Sequence, residues 1–166
     1  MSGLELLKVM IGEACWHVSA GGATAPSFLL VMGDKVPRSR VLANPNQPDA
    51  FRRYRGSIEL LVWSSWRLQT DANVLATSDQ GETGVRALTS LTGAKVTAVS
   101  YAAPAWDLRI DFSNGQTIAT FSDHVEPDAS IAENWEFLNL GDCITAGPGT
   151  LLQESAENSS TQDEPT

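Results

Sequence analysis

Apolar residues recur along this chain in two blocks of the same order. In the first, Leu4, Leu7 and Ile11 fall three and four positions apart and Gly12 follows. That spacing predicts a short helix over residues 3–11, with Ser2 able to cap its start and Gly12 able to end it. In the second block Thr83 opens the pattern, Val85, Leu88 and Leu91 form the stripe, and Gly93 closes it, which predicts a helix over 83–92. Each helix runs directly into a strand pattern. Residues Cys15 to Val18 favour extended structure, with Trp16 and Val18 expected on one face and Cys15 and His17 on the other. The run Gly21 to Pro26 reads as a turn, and Phe28 to Met32 is continuously apolar, as in a strand covered on both faces. In the second block Val96, Ala98 and Ser100 alternate with Thr97, Val99 and Tyr101. Leu108, Ile110 and Phe112 are expected to point one way and Asp107, Arg109, Asp111 and Ser113 the other. Asn114-Gly115 is a strong hairpin signal before a returning strand through Thr117, Ala119 and Phe121.

Gly12 matches Gly93, and Ser65-Trp66-Arg67-Leu68 matches Asn134-Trp135-Glu136-Phe137. The pattern predicts an α+β, mainly antiparallel β protein. It would contain two pseudo-repeats, each a short helix followed by a small sheet, packed about a pseudo-twofold so that each covers the other's bare sheet face. The first repeat spans 1–80 with an Arg/Pro-rich insertion at 36–55, and the second spans 81–152 with an acidic insertion at 122–133. Prolines keep both insertions out of strand interiors. Residues 153–166 are almost wholly polar and read as a disordered acidic tail. Trp66 and Trp135 are expected in the core, whereas Trp63 and Trp106 are expected at the surface.

Charge changes this picture because it is polarised. Of 166 residues, 20 are acidic and 11 basic, a formal net charge of −9, and no Lys or Arg follows Arg109. Such a surface argues against nucleic acid, which needs a basic face, and permits a basic protein partner, or merely keeps the protein in solution. No apolar run is long enough for a bilayer span, and no charged leader precedes the first apolar stretch, so neither a membrane association nor a signal peptide is expected. The two cysteines, Cys15 and Cys143, read as thiols in a reducing cytoplasm rather than as a disulfide scaffold.

Candidate chemistry is thin. Cys15 and His17 have a Cys-x-His spacing that could pair a nucleophile with a base, or contribute to a zinc site with Cys143, His124 and Asp123. The pair lacks an oxyanion turn, and the zinc set lacks the closely spaced ligands of structural sites. Asp123, Glu126 and Asp128 lack the glycine and register of a calcium loop. No phosphate loop, nucleophile elbow or His-Glu-x-x-His motif is present, and no metal or cofactor is expected. Two surface sets remain as candidate binding residues. One is acidic, Asp123, Glu126, Asp128 and Glu133. The other is a basic–aromatic patch, Arg52, Arg53, Tyr54 and Arg55, which with Arg38 and Arg40 could grip a phosphate or carboxylate, or clamp the chain's own acidic half.

The order Leu-x-Gly, alternating strand, Trp in a short strand, and a terminal Ala146-Gly147-Pro148-Gly149 resembles a group of uncharacterised bacterial proteins, small, β-rich and often duplicated. The resemblance spans about residues 4–152. It carries no catalytic residues, and similar small acidic proteins serve as antidotes (immunity proteins) to polymorphic toxins. The expected function is therefore a non-enzymatic acidic protein-binding module, an antidote to a basic toxin by that resemblance. The alternatives are a small enzyme or ligand-binding protein using Cys15, His17 and the arginine cluster, and a structural or regulatory subunit.

Overall fold

The computed structural model describes residues 3–127 and 133–156. Helix α1 (Gly3–Leu6) tightens into a 3-10 turn over Leu7–Met10, and Leu4, Leu7 and Met10 are all buried. A three-residue spacing of apolar side chains suits this tightening, because a 3-10 turn stacks positions i and i+3. Gly12 then reverses the chain at φ +92, a conformation that a side chain disfavours. The same device appears later: α3 (Glu82–Ala87) passes into a 3-10 turn over Leu88–Leu91, buries Val85, Leu88 and Leu91, and is followed by Gly93 at φ +88. A further short helix, α2 (Asp49–Arg53), lies between strands.

Eleven strands are described: β1 (Cys15–Ala20), β2 (Phe28–Pro37), β3 (Tyr54–Val62), β4 (Ser65–Gln69), β5 (Val74–Thr77), β6 (Val96–Ala102), β7 (Asp107–Phe112), β8 (Thr117–Phe121), β9 (Trp135–Asn139), β10 (Asp142–Ala146) and β11 (Leu152–Ala156). They form a six-stranded sheet of order β1-β2-β3-β9-β10-β11 and a five-stranded sheet of order β5-β4-β8-β7-β6. The strand pairs within both sheets are antiparallel. The molecule is thus mostly antiparallel β with a few short helices, as the alternation predicted.

The expectation of one small sheet per repeat is not met. The first sheet takes β1–β3 from residues before 80 and β9–β11 from residues after it, while the second takes β4 and β5 from before and β6–β8 from after. The cause lies in the corner between β3 and β4, only Trp63 and Ser64 long, where the chain leaves one sheet for the other. Strands that switch sheets at a tight corner are a general way to fold a sandwich. Both sheets bury their inner faces in one core. Its largest fully buried side chains include Trp66, Trp135, Phe28 and Phe137, and Phe28 meets Trp66 edge-on at 5.6 Å. Both expected core tryptophans satisfy their indole N–H groups within the protein. Trp66 Nε1 donates to the Pro26 carbonyl and Trp135 Nε1 to the Trp106 carbonyl, each at 2.8 Å.

Two local expectations are corrected. A bulge between Cys15 and His17 shifts the register of β1, so Cys15 and Val18 are the inward residues, and strict alternation would have split them. The tail expected from residue 153 begins with a strand, since β11 pairs with β10 from Leu152↔Ala146 to Ala156↔Asp142. The periodicity was silent here because all of β11 beyond Leu152 is exposed. Residues 157–166 lie outside the described residues, as do Ser2 and Asp128. The starts of β1 and β6, which are edge strands of the two sheets, are stitched together. Cys15 N–H donates to the Ala94 carbonyl at 2.9 Å, Gly93 N–H to the Cys15 carbonyl at 2.6 Å, and Gly12 N–H to the Val96 carbonyl at 2.8 Å. Edge groups that would otherwise invite intermolecular pairing are occupied in this way.

Because each sheet contains strands from both halves, neither half holds a complete sheet. Fragments 1–80 and 81–166 expressed separately are expected to be unfolded by circular dichroism and to regain the strand spectrum when mixed. An independently folded fragment 1–80 with a cooperative melt would contradict this topology.

Candidate functional site

The two cysteine–histidine ideas meet the structure first. Cys15 is buried and its thiol donates to the backbone carbonyl of His17 at 3.3 Å, not to the imidazole. Burial pushes that thiol up to about 11, outweighing the backbone hydrogen bonds from Val31 and His17 that act the other way. A thiol so placed is a packing group, since nucleophilic cysteines need their thiolate stabilised. Cys143 lies on β10, four strands from β1 across the sheet, roughly 19 Å at about 4.8 Å per strand. Both cysteines are free. Among the described residues no group of three His, Cys, Asp or Glu side chains converges as a metal site would.

His17 instead belongs to the arginine-rich insertion. Its ring stacks on Phe51 at 4.3 Å, and Arg38 lies over Phe51 with its guanidinium carbon 4.8 Å from the ring centroid. Arg38 Nε also donates to the Phe51 carbonyl at 2.9 Å, and Gln47 donates to Ser19 Oγ at 3.3 Å. The insertion therefore folds back over β1, and Phe51 is buried in the stack. The arginines expected to act together separate into two kinds. Arg52 Nε donates to the Leu42 carbonyl, and Arg53 pairs with Asp49 through Nε at 2.9 Å. Arg38, Arg40 and Arg55 line a cleft of about 510 Å³ with Pro37, Ser39 and Leu42. Tyr54 opens β3 opposite Pro37 and does not line that cleft. The clamp onto the acidic half is not found, because the ion pairs of the described residues join this cluster only to Asp49.

The acidic insertion is held by a buried polar node rather than left free. Asn134 is fully buried, and every polar group it carries is satisfied. Its Oδ1 accepts from His124 N–H at 2.9 Å and its Nδ2 donates to the His124 carbonyl at 3.3 Å. Its N–H donates to the Ala146 carbonyl at 2.7 Å, and its carbonyl accepts from Trp63 at 2.9 Å and Ser64 at 3.1 Å. Asp123 is also structural, since its carboxylate accepts from the N–H and hydroxyl of Ser65 at the start of β4. Glu126 is exposed and Glu133 half-buried.

This node places the exit of the acidic insertion against the corner Trp63–Ser64. Beyond it, β9 pairs with β3 so that Leu61 lies opposite Glu136 and Glu59 opposite Leu138. The outer face of the six-stranded sheet at this end presents Leu29, Leu61, Leu138 and Trp63, all half-buried, beside the carboxylates of Glu59 and Glu136. Leu29, Leu61 and Trp63 line an apolar cleft of about 250 Å³ together with Ser19, Thr24, Ser27 and Phe28. No Lys or Arg occurs on β9 or β10 or among the residues lining this cleft. Trp63 was legible in the sequence from its odd spacing to Trp66. Leu29 and Leu61 were not, because a continuous apolar run does not say which face stays open.

Compared with protein families, with curated proteins and with solved structures, the chain finds no match in any of the three.

Two expectations follow. Replacing Asn134 with Leu keeps the volume but orphans the His124 backbone groups, so it should destabilise the fold by about 2–4 kcal/mol in a denaturant melt. Burial holds the His17 imidazole below its ordinary pKa, with the charge of Arg38 adding to the effect and Gln47 opposing it. As pH falls below about 6.5 the unfolded chain takes up this proton before the folded one does, so stability is full above that pH and is lost as pH decreases through the window beneath it. The melting temperature should fall from about pH 7 to about pH 5 by more than it does in His17→Phe, which keeps the stack on Phe51. Parallel curves for the two proteins would show that His17 is not the group responsible.

Proposed function

We propose that this chain is a non-enzymatic protein-binding module whose partner presents a basic surface, in the manner of an antidote to a basic toxin. The observation that carries the reading is the acidic–apolar face on β3 and β9. Leu29, Leu61 and Trp63 frame a cleft, and Glu136 flanks Leu61. A Lys or Arg side chain is itself divided this way, with an apolar stem and a cationic head. Its stem packs on Leu61 and the Trp63 ring, and its head meets Glu136 or Glu133. Electrostatic complementarity of this kind speeds association more than it deepens affinity. The polarised charge of the chain supports the same partner, because no base follows Arg109. The enzyme alternative loses its Cys15–His17 pair to the geometry above.

The chain is further inferred to be an internal duplication packed about a pseudo-twofold. The order β1-β2-β3-β9-β10 in one sheet parallels β6-β7-β8-β4-β5 in the other. That parallel holds if β1–β5 and β6–β10 are copies that exchange their last two strands. Gly12 and Gly93 share a positive φ, and Trp66 and Trp135 both donate to the loop between the first two strands of their own copy. A cytoplasmic location is consistent with two free cysteines far apart in the sheet. No helix of the described residues is long and apolar enough to cross a membrane.

The experiment pairs Leu61→Ser with Glu133→Gln and Glu136→Gln and leaves Asp123 intact, because Asp123 holds Ser65. With a partner recovered from native lysate at low salt, the association rate of the wild type should fall as salt rises. The triple variant should bind at least about tenfold more weakly while melting within a few degrees of wild type. Equal rates for the two proteins at low salt would remove this face from the interface.

A further inference from the structure

The cleft between the insertion and the far end of the β2–β3 hairpin has a feature that the acidic docking face does not use. Three arginines, Arg38, Arg40 and Arg55, line it, and no described carboxylate pairs with any of them. Arg55 lies opposite Val36 in the hairpin, whereas Phe28 opposite Val62 marks the other end, where the docking face is found. Like charges on the lining of one cleft repel each other, and an anion seated among them relieves that repulsion.

The cleft is also built to hold its shape. The Arg38 N–H donates to the Arg53 carbonyl at 2.9 Å, and Leu42 N–H donates to the Arg52 carbonyl at 2.9 Å. Arg52 Nε returns a bond to the Leu42 carbonyl at 2.9 Å. The Arg38 side chain is fixed twice, by the bond from its Nε to the Phe51 carbonyl and by its stack over the Phe51 ring. Phe51 is only 6% exposed and is backed by His17. Anchoring through Nε leaves both terminal nitrogens of Arg38 free of any hydrogen-bond partner among the described residues. Those nitrogens form the fork that grips an oxyanion bidentately. A group already ordered loses less freedom on binding, which is the gain from preorganisation.

We propose that this cleft is a binding site for the phosphate group of a small phosphorylated molecule. Three positive charges exceed what a single carboxylate needs and match a dianionic phosphate, and the Ser39 side chain adds a hydroxyl. The volume of about 510 Å³ falls within the range of small-molecule sites and leaves room beyond the phosphate for the group that carries it. A nucleic acid is disfavoured by the net charge of −9, which repels a long polyanion while leaving one local cleft attractive. The cleft also offers no aromatic face for a base, because none of its lining residues is aromatic.

The test is titration calorimetry on the full chain at low salt with four probes: inorganic phosphate, a sugar phosphate, the same sugar without its phosphate, and a short DNA duplex. The double variant Arg40→Gln, Arg55→Gln serves as the probe of the site, since both side chains are exposed and neither holds the fold. Arg86→Gln serves as the control, an exposed arginine on α3 beside Glu82. Saturable one-to-one binding of the sugar phosphate is expected, tighter than that of inorganic phosphate and absent for the bare sugar. It should weaken at least about tenfold in the double variant and stay unchanged in Arg86→Gln. Binding of inorganic phosphate as tight as that of the ester would keep the anion site and overturn the small-molecule claim. The proposal as a whole fails if no phosphate probe binds, if the double variant binds as the wild type does, or if only the duplex binds. Neither face of β9 takes part, so these outcomes stand apart from the fate of the docking face.

Discussion

The amide of Asn134 is the interaction on which the architecture turns. A strand corner of two residues cannot satisfy its own backbone groups, yet Trp63 and Ser64 must turn the chain from one sheet to the other inside a packed protein. Their N–H groups both end on the Asn134 carbonyl. Through its side chain the same residue holds His124, and through its N–H it joins the end of β10. One buried residue thus fixes the corner, the root of the acidic insertion and the entry to β9. Leaving these backbone groups unpaired in a low-dielectric interior costs far more than the bonds return in water, so the backbone bonds are all made although the buried Ser64 hydroxyl beside them has no partner.

The charge pattern follows a similar logic of local satisfaction. A surplus of acids in the second half suggests that the arginines of the first half should be drawn onto it. The insertion does the opposite: it closes on itself through Arg52, Arg53 and Phe51, and its remaining guanidinium groups are gathered at one end of the β2–β3 hairpin. The carboxylates are dispersed along β3, β9 and the loop before β9. Long-range attraction between exposed groups is screened within about 8–10 Å at physiological salt. Hydrogen bonds to nearby carbonyls and stacking on a buried ring are not screened in this way, and they decide where the side chains lie.

How much of this was legible can be traced residue by residue. The two helices and their terminal glycines were readable because a three-residue apolar spacing followed by glycine has one common structural meaning. The split of β7 into two faces was readable from its period-two alternation, and the burial of Trp66 and Trp135 from their size. Which strands share a sheet was not, because the period-two pattern of a strand names its buried face and not its neighbour. That is why the two repeats read as two sheets. The bulge at the start of β1 left no compositional mark, and β11 left none because it is held by backbone pairing to β10 with nearly all its side chains in solvent. For the site, Trp63 and Glu136 were each visible in the sequence, but only the pairing of β3 with β9 brings them to one face.

Both candidate surfaces therefore depend on the same backbone event. The β2–β3 hairpin is long, running from Phe28↔Val62 at one end to Pro37↔Tyr54 at the other. Strand β9 covers only the part of β3 from Ile58 to Val62, so the Tyr54–Gly56 end projects past the rest of the sheet. That projecting end has no neighbour on the β9 side and is backed instead by the insertion, which brings Arg38 and Arg40 to Arg55. The covered end acquires Glu136 and Leu138 from β9 and becomes the acidic–apolar face. Without β9 the covered end would keep Glu59 of β3 but lose Glu136 and Leu138. The opposite character of the two ends is thus a consequence of register, set by a five-residue strand donated from the other half of the chain.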